Sequence, residues 1–472
     1  MKEELIIGGR RVAGSGYFKL HNPYDDGLLA EVPLAGEQEV AAAVAAAVAG
    51  QREMAALPAH RRADMLLKVV DLLAANKQDL ARTITMESGK PMKFSTVEVE
   101  RAMETFRFAA EEAKMIHGET IPMGAARGGE NRTAFYERFP VGPIGAITPF
   151  NFPLNLVAHK LGPAIAAGNA FVLKPAEQTP LTAFRLMALL LEAGIPAEAV
   201  NLVSGDGSTG ALLVPDERLK MISFTGSPPV GREILKRAGL KKVALELGSN
   251  SGVIIEPDTD IDMAVERCLH GSFYNSGQVC ISLQRIYLHS DIYRSFRDKL
   301  AARVAQLILG DPLDAATDIG PLIDGGAAVR TAEWLQEAVR DGAAIVCGGG
   351  VHEHNIFEPT IVENASAAMK VVCNEVFAPL VSLIPYTDFS LALAALNDSR
   401  YGLHAGIFTS NIHKAFKAFR ELEVGGVIIN DIPTYRSDHM PYGGVKESGL
   451  GREGVKYAIE EMTEIKTLVF SL

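Results

Sequence analysis

Residues 144–174 read IGAITPFNFPLNLVAHKLGPAIAAGNAFVLK. Two short apolar runs, 144–148 and 170–173, bracket an apolar stretch at 154–167 that is long enough for a helix. The short runs are continuously apolar rather than alternating, the pattern of strands buried on both faces of a parallel sheet. The rhythm continues with strand candidates at 200–203, 221–224 and 243–245, and helix candidates at 181–193, 208–213 and 230–238. This order predicts an α/β fold with a parallel sheet covered on both faces.

A second alternating region follows Cys280, with strands near 285–288, 380–385, 406–409 and 426–430 and helices near 292–307, 391–396 and 412–420. Two α/β domains are the natural count, with a ligand crevice where strand carboxyl ends meet. Ahead of the first strand, residues 41–114 carry apolar residues at threes and fours, clearest through 65–73 and 106–113, and read as helical. The polar stretch 118–138 between the two patterns has the composition of a solvent-exposed hairpin.

The 472 residues exceed what one core holds, so two or three domains are expected. A formal charge of −11, from 46 Lys and Arg against 57 Asp and Glu, argues against nucleic-acid or anionic-membrane partners. The start, MKEELIIGGRRV, is acidic where a signal peptide is apolar, and runs such as 41–49 are too short to span a bilayer. The chain therefore reads as cytoplasmic. Four cysteines, Cys268, Cys280, Cys347 and Cys373, make neither a disulfide scaffold nor a zinc-ligand pattern, so no metal is expected.

Several segments carry chemistry. Residues 205–210 (GDGSTG) match GxGxxG, but the next strand ends in Phe224-Thr225-Gly226 rather than in an acid. That leaves a pyrophosphate grip and a helix-capping turn both open. In 223–231 (SFTGSPPVG), Gly226 permits close backbone approach, Ser227 suits an N-cap, and Pro228 or Pro229 suits the first helical positions. Such a helix start offers N–H groups to an anion, or is simply well capped. Lys174 ends a buried-looking strand and is followed by Glu177, which can accept bonds from ribose hydroxyls and repels a 2′-phosphate. An exposed loop ion pair is the alternative.

Cys280 differs from the other three cysteines in its polar approach, Asn275-Ser276-Gly277-Gln278. A loop or helix start there would stabilise the thiolate. Glu246 ends an apolar strand; desolvation raises its pKa toward that of a general base, or it is a buried acid paired with a cation.

Seven motifs occur in order: Phe150-Asn151-Phe152-Pro153, Lys174-Pro175-Ala176-Glu177, Phe224-Thr225-Gly226-Ser227, Glu246-Leu247-Gly248, Gly277-Gln278-Val279-Cys280, Asn374-Glu375-Val376-Phe377-Ala378-Pro379 and Pro441-Tyr442-Gly443-Gly444-Val445-Lys446. In these the chain resembles the NAD(P)-dependent aldehyde dehydrogenase superfamily over essentially its whole length. The resemblance implies that Cys280 attacks the aldehyde, that Asn151 and the Cys280 N–H hold the oxyanion, and that Glu246 activates water against the thioester. It implies cofactor contacts from Lys174, Glu177, Thr148, Pro149, Phe150, Gly226, Ser227, Glu375 and Phe377, and it removes the 205–210 turn from the phosphate grip. The implied cofactor is NAD, with NADP as the alternative. The implied fold has an NAD(P)-binding domain (1–117 and 140–247), a catalytic domain (248–438), both Rossmann-type, and a small β oligomerisation arm (118–139 and 455–472) that makes a homodimer or homotetramer.

Within the superfamily, residues 440–454 (MPYGGVKESGLGREG) and 425–431 (GGVIIND) are most similar to lactaldehyde dehydrogenase-like enzymes and the non-phosphorylating glyceraldehyde-3-phosphate branch. Arg107, His159 and Arg436 match positions where relatives bind an anionic substrate tail. Val279, where phosphate- and phosphonate-handling relatives carry Arg, and His159, where succinate-semialdehyde enzymes carry Arg, make the pocket less basic than theirs. The expectation is a small lactaldehyde-like substrate. The alternatives are an anionic aldehyde (glyceraldehyde 3-phosphate, succinate semialdehyde or phosphonoacetaldehyde), a CoA-acylating enzyme, a non-catalytic structural protein, or a merely redox-sensitive Cys280.

Overall fold

In the computed structural model, which describes residues 2–471, the opening stretch forms strand Ile144–Ile147, helix Asn155–Ala167 and strand Phe171–Lys174. All 13 helix residues and both strands are buried, so the sheet is covered where the continuous apolar runs required it. The helix start is capped from outside. Glu98 of helix Met92–Ala113 accepts from the Leu154 and Asn155 N–H groups at 2.9 and 3.1 Å, and Lys90 pairs with it. A buried carboxylate on the positive end of a helix offsets part of its own desolvation. That contact fixes the loop carrying Asn151.

Parallel strands follow the order Val200–Leu202, Phe171–Lys174, Ile144–Ile147, Met221–Thr225, Lys242–Glu246. Leu5–Ile7 adds antiparallel at one edge and Gly449–Leu450 at the other. The chain reverses direction across the sheet between Ile144–Ile147 and Met221–Thr225, and such switch points hold ligands.

A second sheet runs Ala344–Cys347, Thr360–Glu363, Leu380–Tyr386, Arg285–His289, Gly252–Ile255, His404–Phe408, Gly426–Ile429, all parallel except the first. The chain crosses between the sheets through residues 247–251 alone before returning at Gly449. Strands Gly252–Ile255 and Thr360–Glu363 and helices Ile261–Phe273 and Gly325–Arg340 lie outside the sequence reading. Gly252–Ile255 follows the preceding strand too closely for a crossover helix, because it belongs to the other sheet.

The 118–138 hairpin consists of Glu119–Ile121 against Arg132–Pro140, and Thr463–Ser471 pairs along the latter from Thr463↔Pro140 to Ser471↔Arg132. The arm expected from residue 455 starts later. Helix Val455–Glu461 buries Val455, Ala458 and Ile459 against the first core, because its apolar face is needed to cover helix Asn155–Ala167. Among the described residues no single helix is long and apolar enough to cross a membrane, and no His, Cys, Asp and Glu cluster could hold a metal ion.

Candidate active site

A cleft of about 730 Å³ opens at the switch point, lined by Pro149, Phe150, Asn151, Gly226, Ser227, Glu246, Cys280, Glu375 and Phe377 among others. Gly226 and Ser227 precede helix Pro228–Arg237, which has prolines at its first positions; the Ser227 hydroxyl makes no cap bond and stays free for an anion. Glu375 accepts from the Ser249 N–H at 3.0 Å, and a Cβ at Gly248 would stand 2.1 Å from its carboxylate. Burial pushes Glu375 up to about 7. Phe150 and Phe377 meet edge to face at 5.8 Å, with Phe377 held at a φ of +55°.

Beyond Gln178 and Ile323 the cleft continues into a hollow of about 480 Å³ that Glu177 and Asp206 line. Lys174 Nζ touches only the Pro175 carbonyl, at 3.3 Å, among the described residues; burial lowers its pKa, and Glu177 and Asp206 raise it. The GDGSTG turn is a cap: Asp206 accepts from Ser208 N–H at 2.8 Å ahead of the seven-residue helix Gly207–Leu213.

Cys280 is delivered by three consecutive left-handed residues, Asn275, Ser276 and Gly277, with φ of 51°, 53° and 70°. Gly277 is required, since a Cβ there would lie 2.2 Å from the Ala378 carbonyl oxygen. Asn151 Nδ2 donates to Gln278 O at 2.9 Å, which ties the amide to the thiol's own loop. Cys280 Sγ is 2.9 Å from the Tyr442 hydroxyl. The expected stabilised thiolate is not found: burial raises the thiol to about 11, with Glu375 and Glu246 adding to the rise and Tyr442 and Arg436 opposing it. The turn folds Cys280 inward, among apolar side chains, instead of exposing it at a helix start.

Glu246 is 4% exposed and among the described residues its Oε2 has no hydrogen-bond partner and the carboxyl no ion pair, unlike the paired acid of the alternative reading. Burial, then the Glu453 charge, hold its pKa well above the ordinary carboxylate range, against Arg436, Lys160 and Arg452. A carboxyl, a thiol and an amide donor thus share the inner end of one cleft. That is the equipment for covalent attack on a carbonyl followed by hydrolysis.

The aldehyde dehydrogenase family profile matches residues 12–468. The 3-sulfolactaldehyde dehydrogenase of Priestia megaterium is 46% identical over 469 residues, covering 99% of this chain and 98% of that one. This chain belongs to the aldehyde dehydrogenase family. The lactaldehyde dehydrogenase of Methanococcus aeolicus is 42% identical over 457 residues, covering 96% of each chain. The crystal structure of the glyceraldehyde-3-phosphate dehydrogenase GapN of Methanocaldococcus jannaschii complexed with NADP superposes with a TM-score of 0.93 at 39% identity, covering 96% of this chain and 99% of that one. The α/β fold with two parallel sheets is thus the aldehyde dehydrogenase fold, and the enzyme class uses NAD(P).

Of the three basic residues expected in this aldehyde dehydrogenase's substrate pocket, two meet and one does not. Arg107 is 41% exposed and pairs with Glu104 on its own helix. The arginine of this helix that reaches the Asp438 cluster is Arg101, almost two turns earlier, which binds Asp438 through two bonds of 2.7 and 3.1 Å. His159 Nε2 donates to Asp438 at 2.9 Å, and burial followed by the Arg436 charge lowers its pKa, so the ring is neutral. Arg436 sits 3.2 Å from Glu453, which Lys160 also binds at 3.1 Å. Burial favours neutral Glu453, but Lys160 and Arg436 outweigh it and hold the acid at about 2. Arg101, Lys160 and Asp438 escaped the sequence reading, and Tyr442 and Glu453 stood only inside quoted motifs with no role given; Lys160, a charge in a largely apolar helix, was the signal available.

Proposed function

We propose that this aldehyde dehydrogenase oxidises three-carbon 2-hydroxyaldehydes of the lactaldehyde type to their acids through a thioester on Cys280, with NAD preferred. The observation that carries the reading is the convergence of the unpaired Glu246 carboxyl, the Asn151 amide and the Cys280 thiol in one cleft. Cys280 Sγ attacks the aldehyde carbon while its proton passes to the Glu246 carboxylate. The Asn151 amide and the Cys280 N–H receive the oxyanion, a donor of this kind being worth about 3–4 kcal/mol. Hydride loss from the thiohemiacetal, the chemistry a bound nicotinamide dinucleotide supplies, leaves the thioester. Glu246 first loses the thiol's proton to solvent, and the restored carboxylate then takes a proton from water as the water oxygen bonds the thioester carbon and the Cys280 thiolate departs. Because the Glu246 pKa is raised, its base form grows in as pH rises, so this step accelerates with pH.

The free Ser227 hydroxyl and helix start suit a pyrophosphate, Lys174 and Glu177 a ribose, and Glu375 with Phe377 the nicotinamide side. Pro149 and Phe150 line that path, whereas Thr148 is buried beside it with its N–H donating to the Lys174 carbonyl at 3.2 Å. Glu177 and Asp206 both lie beside Lys174 and oppose a 2′-phosphate, which supports NAD over NADP.

The three relatives' names share a three-carbon 2-hydroxyaldehyde unit that differs at carbon 3. Here the collar around Cys280 is apolar (Phe152, Leu156, Val279, Ile281, Leu403, Tyr442), and behind it three cations, Arg101, Arg436 and Lys160, face two carboxylates, Asp438 and Glu453. The Arg101 guanidinium, only partly buried, supports a sulfonate or phosphate at carbon 3 as the second reading. Steady-state rates with lactaldehyde, 3-sulfolactaldehyde, glyceraldehyde 3-phosphate and propanal, each with NAD and NADP, test both. Preference for propanal would sink the 2-hydroxy reading, and NADH release dependent on CoA would sink hydrolysis.

The C-terminal strand leaves Ile465, Leu468, Val469 and Phe470 about half exposed, an apolar edge that supports assembly into a dimer or tetramer. Sedimentation of the chain with and without residues 463–472 tests the assembly.

A further inference from the structure

Tyr442 is 2% exposed in the apolar collar around Cys280, and among the described residues its hydroxyl hydrogen-bonds only Cys280 Sγ, at 2.9 Å. A phenol in such a wall forfeits hydration for a single sulfur contact, so phenylalanine would pack there at lower cost. The ring is held from three sides. The Arg436 guanidinium stands 3.7 Å from its centroid, the His404 ring meets it edge-on at 5.1 Å, and its backbone exchanges hydrogen bonds with Glu453 at 3.0 and 2.6 Å. A cation over the ring draws electron density from the oxygen and strengthens the O–H as a donor. Burial and the neighbouring Cys280 charge keep the phenol's own proton in place.

We infer that Tyr442 is a further activating and positioning residue of the reaction: its O–H donates to Cys280 Sγ, aims the sulfur and stabilises the thiolate formed when the thiol proton leaves. The Sγ–H bond breaks and an O–H bond forms on the Glu246 carboxylate, while the Tyr442 O–H remains intact throughout. The inference rests on Cys280 being the nucleophile.

Thiolate absorbance, read as the difference from Cys280→Ala, is titrated in the wild type, in Tyr442→Phe and in enzyme carrying 3-fluorotyrosine at 442. Loss of a hydrogen bond to a charged sulfur raises the midpoint by about one pH unit, a tenfold loss of thiolate at neutral pH. The pH profile of kcat/KM moves by the same amount while the aldehyde KM stays within about threefold. The more acidic fluorophenol, which leaves the packing intact, shifts the midpoint the opposite way. Coincident midpoints in the three proteins overturn the inference, as does an unshifted fluorotyrosine enzyme where Tyr442→Phe does not fold. Activity in Cys280→Ala overturns the nucleophile reading itself, whereas an inactive Cys280→Ala with unmoved midpoints overturns Tyr442 alone.

Discussion

In the cofactor-free enzyme Cys280 should react with iodoacetamide about a hundredfold more slowly at pH 7 than an isolated thiol. Burial, aided by Glu375 and Glu246, pushes the Cys280 thiol up from an ordinary value near 9.0 to about 11. Two units are about 2.7 kcal/mol, and at pH 7 they leave about one Cys280 in ten thousand ionised. The pKa is raised, so reactivity appears as pH rises. Alkylation rates measured by peptide mapping should climb about tenfold per unit from pH 7 and level only near 11. Glu375→Gln removes one of the charges that raise the thiol and should bring the plateau to lower pH. A plateau below pH 9 in the wild type would show that burial does not govern this thiol, and the argument for needing a base beside it would fall.

Glu246→Gln should slow the NADH burst as well as steady turnover, the latter by about 10²–10⁴, because the same carboxylate takes the thiol proton and activates the water; a burst at the wild-type rate would remove Glu246 from the thiol step. Arg101→Met should lower kcat/KM for 3-sulfolactaldehyde relative to lactaldehyde by about tenfold or more, the scale of one charge-assisted hydrogen bond, whereas Arg107→Met should leave the ratio unchanged. Gly277→Ala places a Cβ against the Ala378 carbonyl at a φ of +70° and should cost at least about 1–2 kcal/mol in thermal unfolding and most of the activity; a native-like melt with full rates would refute the requirement for the left-handed turn.

The parallel sheets were legible because burial on both faces writes uninterrupted apolar runs, as in residues 144–147 and 170–173. Glu246 was legible for the same reason: an acid that closes such a run has nowhere to be solvated. The substrate side was not. Apolar periodicity in helix Met92–Ala113 tells which face is buried, but both Arg101 and Arg107 stand at its margin. Only Asp438, 337 residues away, decides which of them turns inward. Cys280 misled in direction, since a polar Asn-Ser-Gly-Gln approach suggests solvent while three left-handed residues turn the chain back under Ala378. The arm's starting point failed by a similar route, because the helix before it is amphipathic enough to be claimed by the core.

Residues 247–251 join the two sheets as a short mechanical tether. Its first neighbour is Glu246, its Ser249 holds Glu375, and its far end begins the sheet whose loops present Cys280. Any widening of the cleft bends this short tether, so the gap a substrate must enter and the reach of the carboxyl toward the sulfur form one degree of freedom. A single residue inserted there would spare both sheets and detune the enzyme, much as lengthening the pin of a hinge leaves both door and frame sound.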